Sequence, residues 1–226
     1  MSITHIIFDC DGVLVDSEPL SMRADAEVLA KYGVNLSAAE LTKRFVGTTF
    51  DDMLERLRKE RGIEFPADLN LEKNRLINDL YHRELKVVRG VRDALDSIKG
   101  MGLSMSIASN GPKERVKLAL QITGLLHHFK DQIVTYEDVP RGKPDPDVFL
   151  LAAKNAKVRP EDCLVVEDSI TGVTAAVDAG CWTLGFTGTH EDHAAHAEKL
   201  KDIGAEAVFE TMGELPGLVS TFIHEN

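Results

Sequence analysis

Apolar residues along the chain follow two patterns, which alternate. Short runs rich in Ile and Val are almost continuous, as in strands of a parallel sheet that is covered on both faces. Between them, apolar residues recur with the spacing of an amphipathic helix. This alternation predicts an α/β fold with a doubly wound parallel sheet and right-handed crossovers. The predicted strands are Ile3–Phe8, Ser104–Ala108, Gln132–Thr135, Cys163–Val166, Trp182–Gly185 and Ala207–Phe209. The predicted helices between them are Val91–Met101, Lys113–Gln121, Asp147–Ala156, Ile170–Ala179 and Asp192–Ile203.

One long region interrupts the alternation. From about Pro19 to Glu84 the pattern predicts helices and no strand. A capping box, Ser37-Ala38-Ala39-Glu40, begins one helix, and Gly47 marks a break between two others. The predicted helices here are Leu20–Tyr32, Ser37–Phe45, Phe50–Arg61 and Leu71–Leu85. Because the region follows the first strand directly, we predict a helical domain of residues 17–87, inserted into an α/β domain of residues 1–16 and 88–226.

Composition and charge exclude several classes of protein. The 226 residues carry a formal net charge of −11, which disfavours binding to nucleic acid or to an anionic membrane. A local positive site can still bind an anionic substrate. The apolar runs are too short for a membrane span, and the N-terminus lacks the basic start of a signal peptide. The three cysteines form no CxxC pattern. We therefore expect a cytoplasmic protein with buried, reduced thiols. We further expect it to be a monomer or weak homodimer.

Two aspartates follow the first predicted strand. Asp9 and Asp11 lie where the run Ile3–Phe8 ends, and Gly12 allows the backbone to turn and to approach a ligand. Ligands of open α/β sheets bind at the carboxyl ends of the strands. Two close carboxylates repel each other unless a cation binds or one is protonated. The pair therefore indicates either a cation site or an acidic turn that caps the next helix.

Polar side chains also follow the other predicted strands. Ser109 and Asn110 end the second strand, Lys143 lies in the loop after the third, and Glu167 and Asp168 end the fourth. Each has an ordinary alternative as a turn, a solvated side chain or a helix cap. In a doubly wound sheet, however, all these loops meet at one edge. Together they could bind Mg²⁺ and a phosphate and leave one carboxylate free to attack.

These segments resemble the four motifs of the haloacid dehalogenase-like hydrolase superfamily. The segments are Asp9–Ser17, Ser109-Asn110, Lys143–Pro146 and Glu167–Ser169. The resemblance extends over nearly the whole chain, and the inserted helices resemble the cap of the β-phosphoglucomutase-like branch. It implies a Rossmann-like core, phosphoryl chemistry and a Mg²⁺ cofactor.

The resemblance also implies roles for the acidic residues. Asp9 would be the nucleophile that forms an aspartyl-phosphate, and Asp11 would be the general acid and base. Mg²⁺ would be bound by Asp9, the main-chain carbonyl of Asp11 and Asp168, with Glu167 assisting directly or through water.

Further residues would bind the substrate. The resemblance places Ser109, Asn110 and Lys143 on the phosphoryl oxygens, where Ser109 and Lys143 also offset charge in the transition state. Gly12 lets the loop approach the phosphate. The groups of the insertion expected nearest to the substrate are Lys43, Arg44 and Thr48, unless they form a solvated helix end.

Other activities of the superfamily fit the residues less well. Dehalogenases generally lack the second aspartate, so Asp11 favours phosphoryl chemistry, and Leu20–Arg23 offers no lysine for Schiff-base chemistry. A β-phosphoglucomutase carries an arginine where this chain has Phe50 and a histidine where it has Ser21. These departures favour a phosphatase, with the mutase as the alternative. A non-enzymatic phospho-accepting regulator is a further alternative, but the helical insertion has no place in that design.

Two short segments indicate the class of substrate. The sequences Ser109–Pro112 and Glu18-Pro19 resemble those of small-sugar-phosphate phosphatases, including phosphogluconate phosphatases, so we expect a sugar or sugar-acid phosphate.

His190, His193 and His196 recur at every third residue. A zinc site would prefer pairs four residues apart plus a further ligand, so an exposed helix start is favoured.

Overall fold

The computed structural model describes residues 3–45, 48–129 and 131–224; Gly47 therefore lies outside the described residues. The chain divides into two compact units. The first is the α/β unit, Met1–Asp16 with Lys86–Asn226, and the second is the helical insertion, Ser17–Leu85.

A single parallel sheet organises the α/β unit. Its strands are β1 (His5–Phe8), β2 (Ser104–Ser109), β3 (Ile133–Thr135), β4 (Cys163–Glu167), β5 (Trp182–Phe186) and β6 (Ala207–Phe209). They lie in the order β3-β2-β1-β4-β5-β6, and every pair is parallel. The predicted α/β fold with a doubly wound parallel sheet is confirmed. All residues of β1 and β4 are buried, which explains their continuous apolar runs.

Helices cover both faces of the sheet. Successive residues of a strand face opposite sides. Ile7 belongs to a buried cluster with Phe149, whereas the ring of its neighbour Phe8 packs edge-on against Phe129, with the centroids 6.0 Å apart. The core therefore forms two layers, one on each side of β1.

Most helices lie within a few residues of their predicted bounds. They are α1 (Glu18–Ala30), α2 (Ala38–Phe45), α3 (Phe50–Arg61), α4 (Leu69–Glu84), α5 (Val91–Gly100), α6 (Lys113–Ile122), α7 (Leu126–Phe129), α8 (Asp147–Ala156), α9 (Ile170–Asp178), α10 (His193–Ile203) and α11 (Leu215–His224). The apolar pattern predicts neither α7 nor α11. Short 3₁₀ turns occupy Tyr136–Asp138 and Pro160–Asp162.

The helical insertion has a core of its own. Leu29, Leu41, Met53 and Leu57, from α1, α2 and α3, are buried in one apolar cluster. The predicted capping box at the start of α2 is present, since the Ser37 N–H donates to Glu40 and the Glu40 N–H donates to the Ser37 hydroxyl.

The second boundary of the insertion lies earlier than expected. Lys86 and Val87, predicted to belong to the insertion, are part of the α/β unit. The Asp16 N–H donates to the Lys86 carbonyl at 3.0 Å, and Val87 forms an antiparallel bridge with Val15. These backbone bonds attach the returning chain to the end of the segment that leaves the sheet.

No helix in the described parts of the chain combines the length and apolarity that a membrane crossing needs.

Candidate active site

The candidate residues of the α/β unit gather at one edge of the sheet. Asp9 follows β1, Ser109 ends β2, Lys143 follows β3, and Glu167 ends β4. The chain order reverses between β1 and β4, because β2 and β3 lie on one side of β1 and β4 lies on the other. Such a reversal opens a crevice at the carboxyl ends of the strands, where α/β sheets bind ligands.

The loop after β1 carries the two predicted aspartates. The Asp9 N–H donates to the Val166 carbonyl of β4 at 3.0 Å, so Asp9 extends the pairing beyond the strand. Asp9 is buried and Asp11 is half-buried. Gly12 turns the loop with a φ of +81°, a conformation that favours glycine.

Gly12 also leaves room for Asp168. A Cβ at position 12 would lie 2.2 Å from Asp168 Oδ2, so a side chain there would displace the carboxylate. The sequence predicted a close approach of this backbone to a ligand. The structure shows that the Asp168 carboxylate itself lies against Gly12.

Lys143 connects three parts of the site. Its Nζ donates to Asp9 Oδ1 at 2.6 Å, to Glu167 Oε1 at 2.6 Å and to the Ala108 carbonyl at 2.8 Å. An ammonium group has three hydrogens, and these acceptors match them. The Lys143 side chain is buried, so it is a fixed part of the site and not the solvated lysine of the alternative interpretation.

The pKa values of Lys143 and Asp9 both lie above their ordinary values, for different reasons. Burial lowers the pKa of Lys143, but the carboxylates of Asp9 and Glu167 outweigh it, and the pKa lies above its ordinary value. Burial raises the pKa of Asp9; Lys143 opposes this shift, while Glu167 and Asp168 add to it. Lys143 therefore stays charged, and the carboxylates around it repel one another.

Asn110 holds the loop that carries Lys143. Its side-chain Nδ2 donates to the Lys143 carbonyl at 2.9 Å, and its Oδ1 accepts from the Lys143 N–H at 2.8 Å. A Cβ at Gly142 would lie 2.6 Å from Asn110 Oδ1, so the preceding residue must be small. The Asn110 amide thus binds the main chain of Lys143, a contact that no sequence pattern indicates.

Ser109 and Asp11 approach each other at Gly111. The Ser109 hydroxyl accepts from the Gly111 N–H at 2.9 Å. A Cβ built on Gly111 would lie 3.3 Å from both Asp11 Oδ2 and Ser109 Oγ. The loops after β1 and β2 therefore place a carboxylate and a hydroxyl on the same side of this glycine.

Glu167 is fully enclosed by its neighbours. Besides Lys143, its carboxylate accepts from the N–H and the hydroxyl of Ser169, at 2.9 and 3.0 Å. A Cβ at Gly172 of α9 would lie only 1.8 Å from Glu167 Oε1. Ser169 and Gly172 thus support the site. No sequence pattern indicates the Gly172 contact, because a glycine inside a helix usually has no special neighbour.

The histidine motif lies differently from its prediction. His190 precedes α10, and His190 and His196 are half-buried, because their rings stack on each other and contact Asp168. His193 is half-buried as well, so the predicted exposed helix start is wrong for all three histidines.

The predicted substrate groups of the insertion have partners within their own unit. Arg44 forms an ion pair with Glu60, and the Thr48 hydroxyl donates to the Phe45 carbonyl at 2.8 Å. Lys43 is exposed on α2. All of them lie in the helical insertion.

The donor set suits a hard divalent cation. Asp9, Asp11, Glu167 and Asp168 offer only oxygen, the ligand that Mg²⁺ prefers, and Lys143 balances only part of their charge. In residues 3–45, 48–129 and 131–224, no three His, Cys, Asp or Glu side chains already converge as a complete metal site. Mg²⁺ does not need such a set, since it keeps several waters and uses one or two carboxylates.

Comparison with known proteins places this geometry in a family. Residues 6–186 match the family model described as haloacid dehalogenase-like hydrolase. The chain is 32% identical to the 6-phosphogluconate phosphatase of Escherichia coli (strain K12) over 79% of this chain and 80% of that protein. It is 34% identical to the phosphorylated carbohydrates phosphatase of Thermotoga maritima, over 77% and 81%. A solved structure of a HAD family hydrolase from Deinococcus radiodurans R1, with bound phosphate and sodium, matches with a TM-score of 0.81 and 30% identity; the match covers 97% of this chain and 96% of that one.

Proposed function

Since the chain belongs to the haloacid dehalogenase-like hydrolase family, we propose that it hydrolyses a small sugar or sugar-acid phosphate through a phosphorylated Asp9, with Mg²⁺ as cofactor. It is a phosphoric monoester hydrolase, as its curated relatives are. The observation that carries the proposal is the position of Asp9: a buried carboxylate at the reversal point of the sheet, bonded through Oδ1 to Lys143.

Asp9 is the nucleophile in this mechanism. Lys143 fixes Oδ1, which leaves Oδ2 to attack phosphorus. The new bond joins Asp9 to the phosphoryl group, and the bond from phosphorus to the substrate oxygen breaks. Asp11 donates a proton to that departing oxygen. Asp11 then takes a proton from a water that attacks phosphorus, which releases phosphate and regenerates the Asp9 carboxylate.

Donors around the attacking carboxylate stabilise the transferred group. We assign the Ser109 O–H, whose oxygen is oriented by the Gly111 N–H, to a phosphoryl oxygen. The charge of Lys143 lies beside the same oxygen cluster and offsets the charge of the transition state. Asn110 contributes by fixing the main chain of Lys143.

Mg²⁺ would be held by Asp9, the Asp11 main-chain carbonyl and Asp168. When bound, it shields the anionic substrate from the carboxylates and offsets charge on the phosphoryl oxygens. Both Glu167 oxygens accept hydrogen bonds, from Lys143 and Ser169, so we assign Glu167 chiefly to holding Lys143.

We base the proposed class of substrate on the named relatives, and the proposed contacts with its sugar on side chains of the insertion. The curated relatives act, by their names, on 6-phosphogluconate and on phosphorylated carbohydrates. We propose Lys43, Arg44 and Thr48 as the groups of the insertion that select the sugar. We further propose that the protein is cytoplasmic and is a monomer or weak homodimer. Nucleic acid and membranes have no role in this proposal.

The proposal is tested by following phosphate release from 6-phosphogluconate, other sugar phosphates and p-nitrophenyl phosphate. We expect turnover with Mg²⁺, reversible loss with EDTA, and less than about 1% of wild-type turnover for Asp9→Asn, because an amide is a poor nucleophile. Asp202→Asn, an exposed change of the same kind on α10, is the control and should be fully active. Turnover by Asp9→Asn near the wild-type rate, or activity after complete removal of metal, would contradict the mechanism.

A further inference from the structure

The segment from Thr189 to His196 reaches back to the loops after β1 and β4. The Thr189 hydroxyl donates to the Gly12 carbonyl at 2.9 Å. His190 Nε2 lies 3.1 Å from Asp168 Oδ2, and His196 Nε2 lies 2.5 Å from the Asp168 carbonyl oxygen. One segment, which follows β5, therefore contacts both the side chain and the main chain of Asp168.

The acceptors determine which atoms carry protons. A carbonyl oxygen only accepts, so Nε2 of His196 must be the donor to Asp168. A carboxylate also accepts, so Nε2 of His190 donates to Oδ2. The two rings stack with their centroids 3.7 Å apart and their planes at 23°, so each ring restricts the other.

Asp168 is therefore held both at its carboxylate and at its main chain. Its carboxylate lies against Gly12, where a Cβ would approach Oδ2 to 2.2 Å, and His190 bonds to that same oxygen. Its main chain is bonded to His196. A metal-binding carboxylate that is already oriented loses less conformational freedom when the ion binds, and the partners of such ligands strongly affect metal affinity.

We propose that His190 and His196 are positioning residues that orient Asp168 for the cation, His190 through its carboxylate and His196 through its main chain. This inference rests on the proposed Mg²⁺-dependent function. It gives a role to the histidine motif that the catalytic steps leave unused. His193, the third member, has no part in it, because its nearest acidic atom is Glu210 Oε1 at 3.7 Å.

The test measures Mg²⁺ binding to the whole protein by isothermal titration calorimetry, without substrate. His190→Phe keeps a ring to stack on His196 but removes the donor, whereas His190→Gln keeps an N–H donor without the ring. We expect a 10- to 100-fold weaker Mg²⁺ affinity for His190→Phe, as is typical when the partner of a metal ligand is lost, and near wild-type affinity for His190→Gln. His193→Phe is the matched control and should bind like the wild type.

A second readout separates positioning from a general loss of structure. The half-saturating Mg²⁺ concentration for turnover should rise in His190→Phe by the same factor, while kcat at saturating Mg²⁺ stays close to wild type. Thermal unfolding in EDTA shows whether the variant folds. If His190→Phe does not fold, His190→Leu, which also lacks the donor, takes its place: weaker affinity than in His190→Gln supports the inference, and equal affinity in the two overturns it.

The outcomes distinguish this inference from the function on which it rests. Wild-type affinity in a folded His190→Phe, or weak binding in both His190 variants, overturns the positioning role and leaves the phosphatase intact. Absence of Mg²⁺ binding to the wild type overturns the proposed cofactor and this inference with it.

Discussion

Lys143 illustrates how one buried charge can organise a site. We expect Lys143→Met to abolish turnover and to destabilise the fold by about 3–5 kcal/mol, because Asp9 and Glu167 would stay buried without their cation. Urea unfolding and phosphate release measure both effects. Lys113→Met is the control: it removes a partly exposed pair with Asp138 and should cost no more than about 1 kcal/mol. Equal stability of the two variants would contradict the importance of Lys143.

His5 gives the fold a dependence on pH. Its ring nitrogens lie 2.7 Å from the hydroxyls of Ser104 and Ser106, and burial lowers its pKa from 6.5 to about 4. Between these pH values the unfolded chain binds a proton that the folded protein does not. His5 therefore contributes its full stability above about pH 6.5, and this contribution decreases as the pH falls toward 4.

Urea unfolding at pH 7 and pH 5 tests this dependence. Wild type should lose about 2 kcal/mol more than His5→Gln between these two values, since glutamine does not titrate. An equal loss in both proteins would mean that His5 is not the group responsible.

The positions of the candidate site residues were predictable, because local sequence patterns determine where the strands end. Asp9, Ser109 and Glu167 stand where apolar strands end, and those ends meet in any doubly wound sheet. Their supports were not predictable in the same way. The contacts of Gly172 with Glu167 and of His190 with Asp168 depend on distances between separate loops, which no local pattern contains.

At the scale of single elements, α9 is adapted to the site through Gly172. Alanine favours helix by about 1 kcal/mol over glycine, but a Cβ here would meet Glu167 Oε1 at 1.8 Å. We expect Gly172→Ala to cost about 1–3 kcal/mol and to reduce turnover, because Glu167 would be displaced from Lys143. Gly217→Ala in α11 is the control: nothing lies within 4 Å of its Cβ position, so it should be neutral or stabilising. Thermal unfolding and turnover distinguish them, and stabilisation by Gly172→Ala would contradict the packing argument.

Elements with strong periodicity were predicted well, and the missed ones had weak local signals. The strand Ala207–Phe209 and the helix Phe50–Arg61 have the predicted bounds, the latter with the Thr49 capping box and Gly62 at its end. Helix α11 was missed because Pro216 and Gly217 resemble breakers. Proline is tolerated in a first helical turn, where its N–H has no partner.

At the scale of the whole molecule, the choice between phosphatase and mutase depends on the insertion. Phe50, which stands where a mutase has arginine, packs on the insertion's apolar cluster, and the Lys73 ammonium lies 4.0 Å from its ring centroid. A phenyl ring offers no guanidinium fork for a second phosphate. We therefore expect β-glucose 1-phosphate, with Mg²⁺ and a trace of the 1,6-bisphosphate, to yield inorganic phosphate and negligible glucose 6-phosphate.

³¹P NMR follows both products at once. A Phe50→Arg variant serves as a comparison and should not increase hydrolysis. Formation of glucose 6-phosphate faster than free phosphate in the wild type would replace the hydrolase assignment with the mutase, and Lys43 and Arg44 would then be the first candidates for the second phosphate site.

The division into an α/β unit and a helical insertion was also visible in the sequence, because the strand pattern stops after β1 and resumes at β2. The end of the insertion was predicted two residues too late, at 87, because the return is set by the backbone bond of Lys86 to Asp16 and by the bridge between Val15 and Val87.

That bond between Asp16 and Lys86 has a consequence for the order of folding. His5 pairs with Ser104, so β1 and β2 must close a long loop, which slows folding when the intervening chain is disordered. The insertion consists of local helices, and α1 packs against α4, which brings its two ends together. Leu57→Ala, which weakens the core of the insertion, should therefore slow refolding. Stopped-flow fluorescence of the single tryptophan, Trp182, measures the folding and unfolding rates. An unchanged folding rate with faster unfolding would contradict this order of folding. The insertion therefore adds residues between β1 and β2 without slowing the pairing of these strands, because once it has folded the sheet assembles as if they were near neighbours.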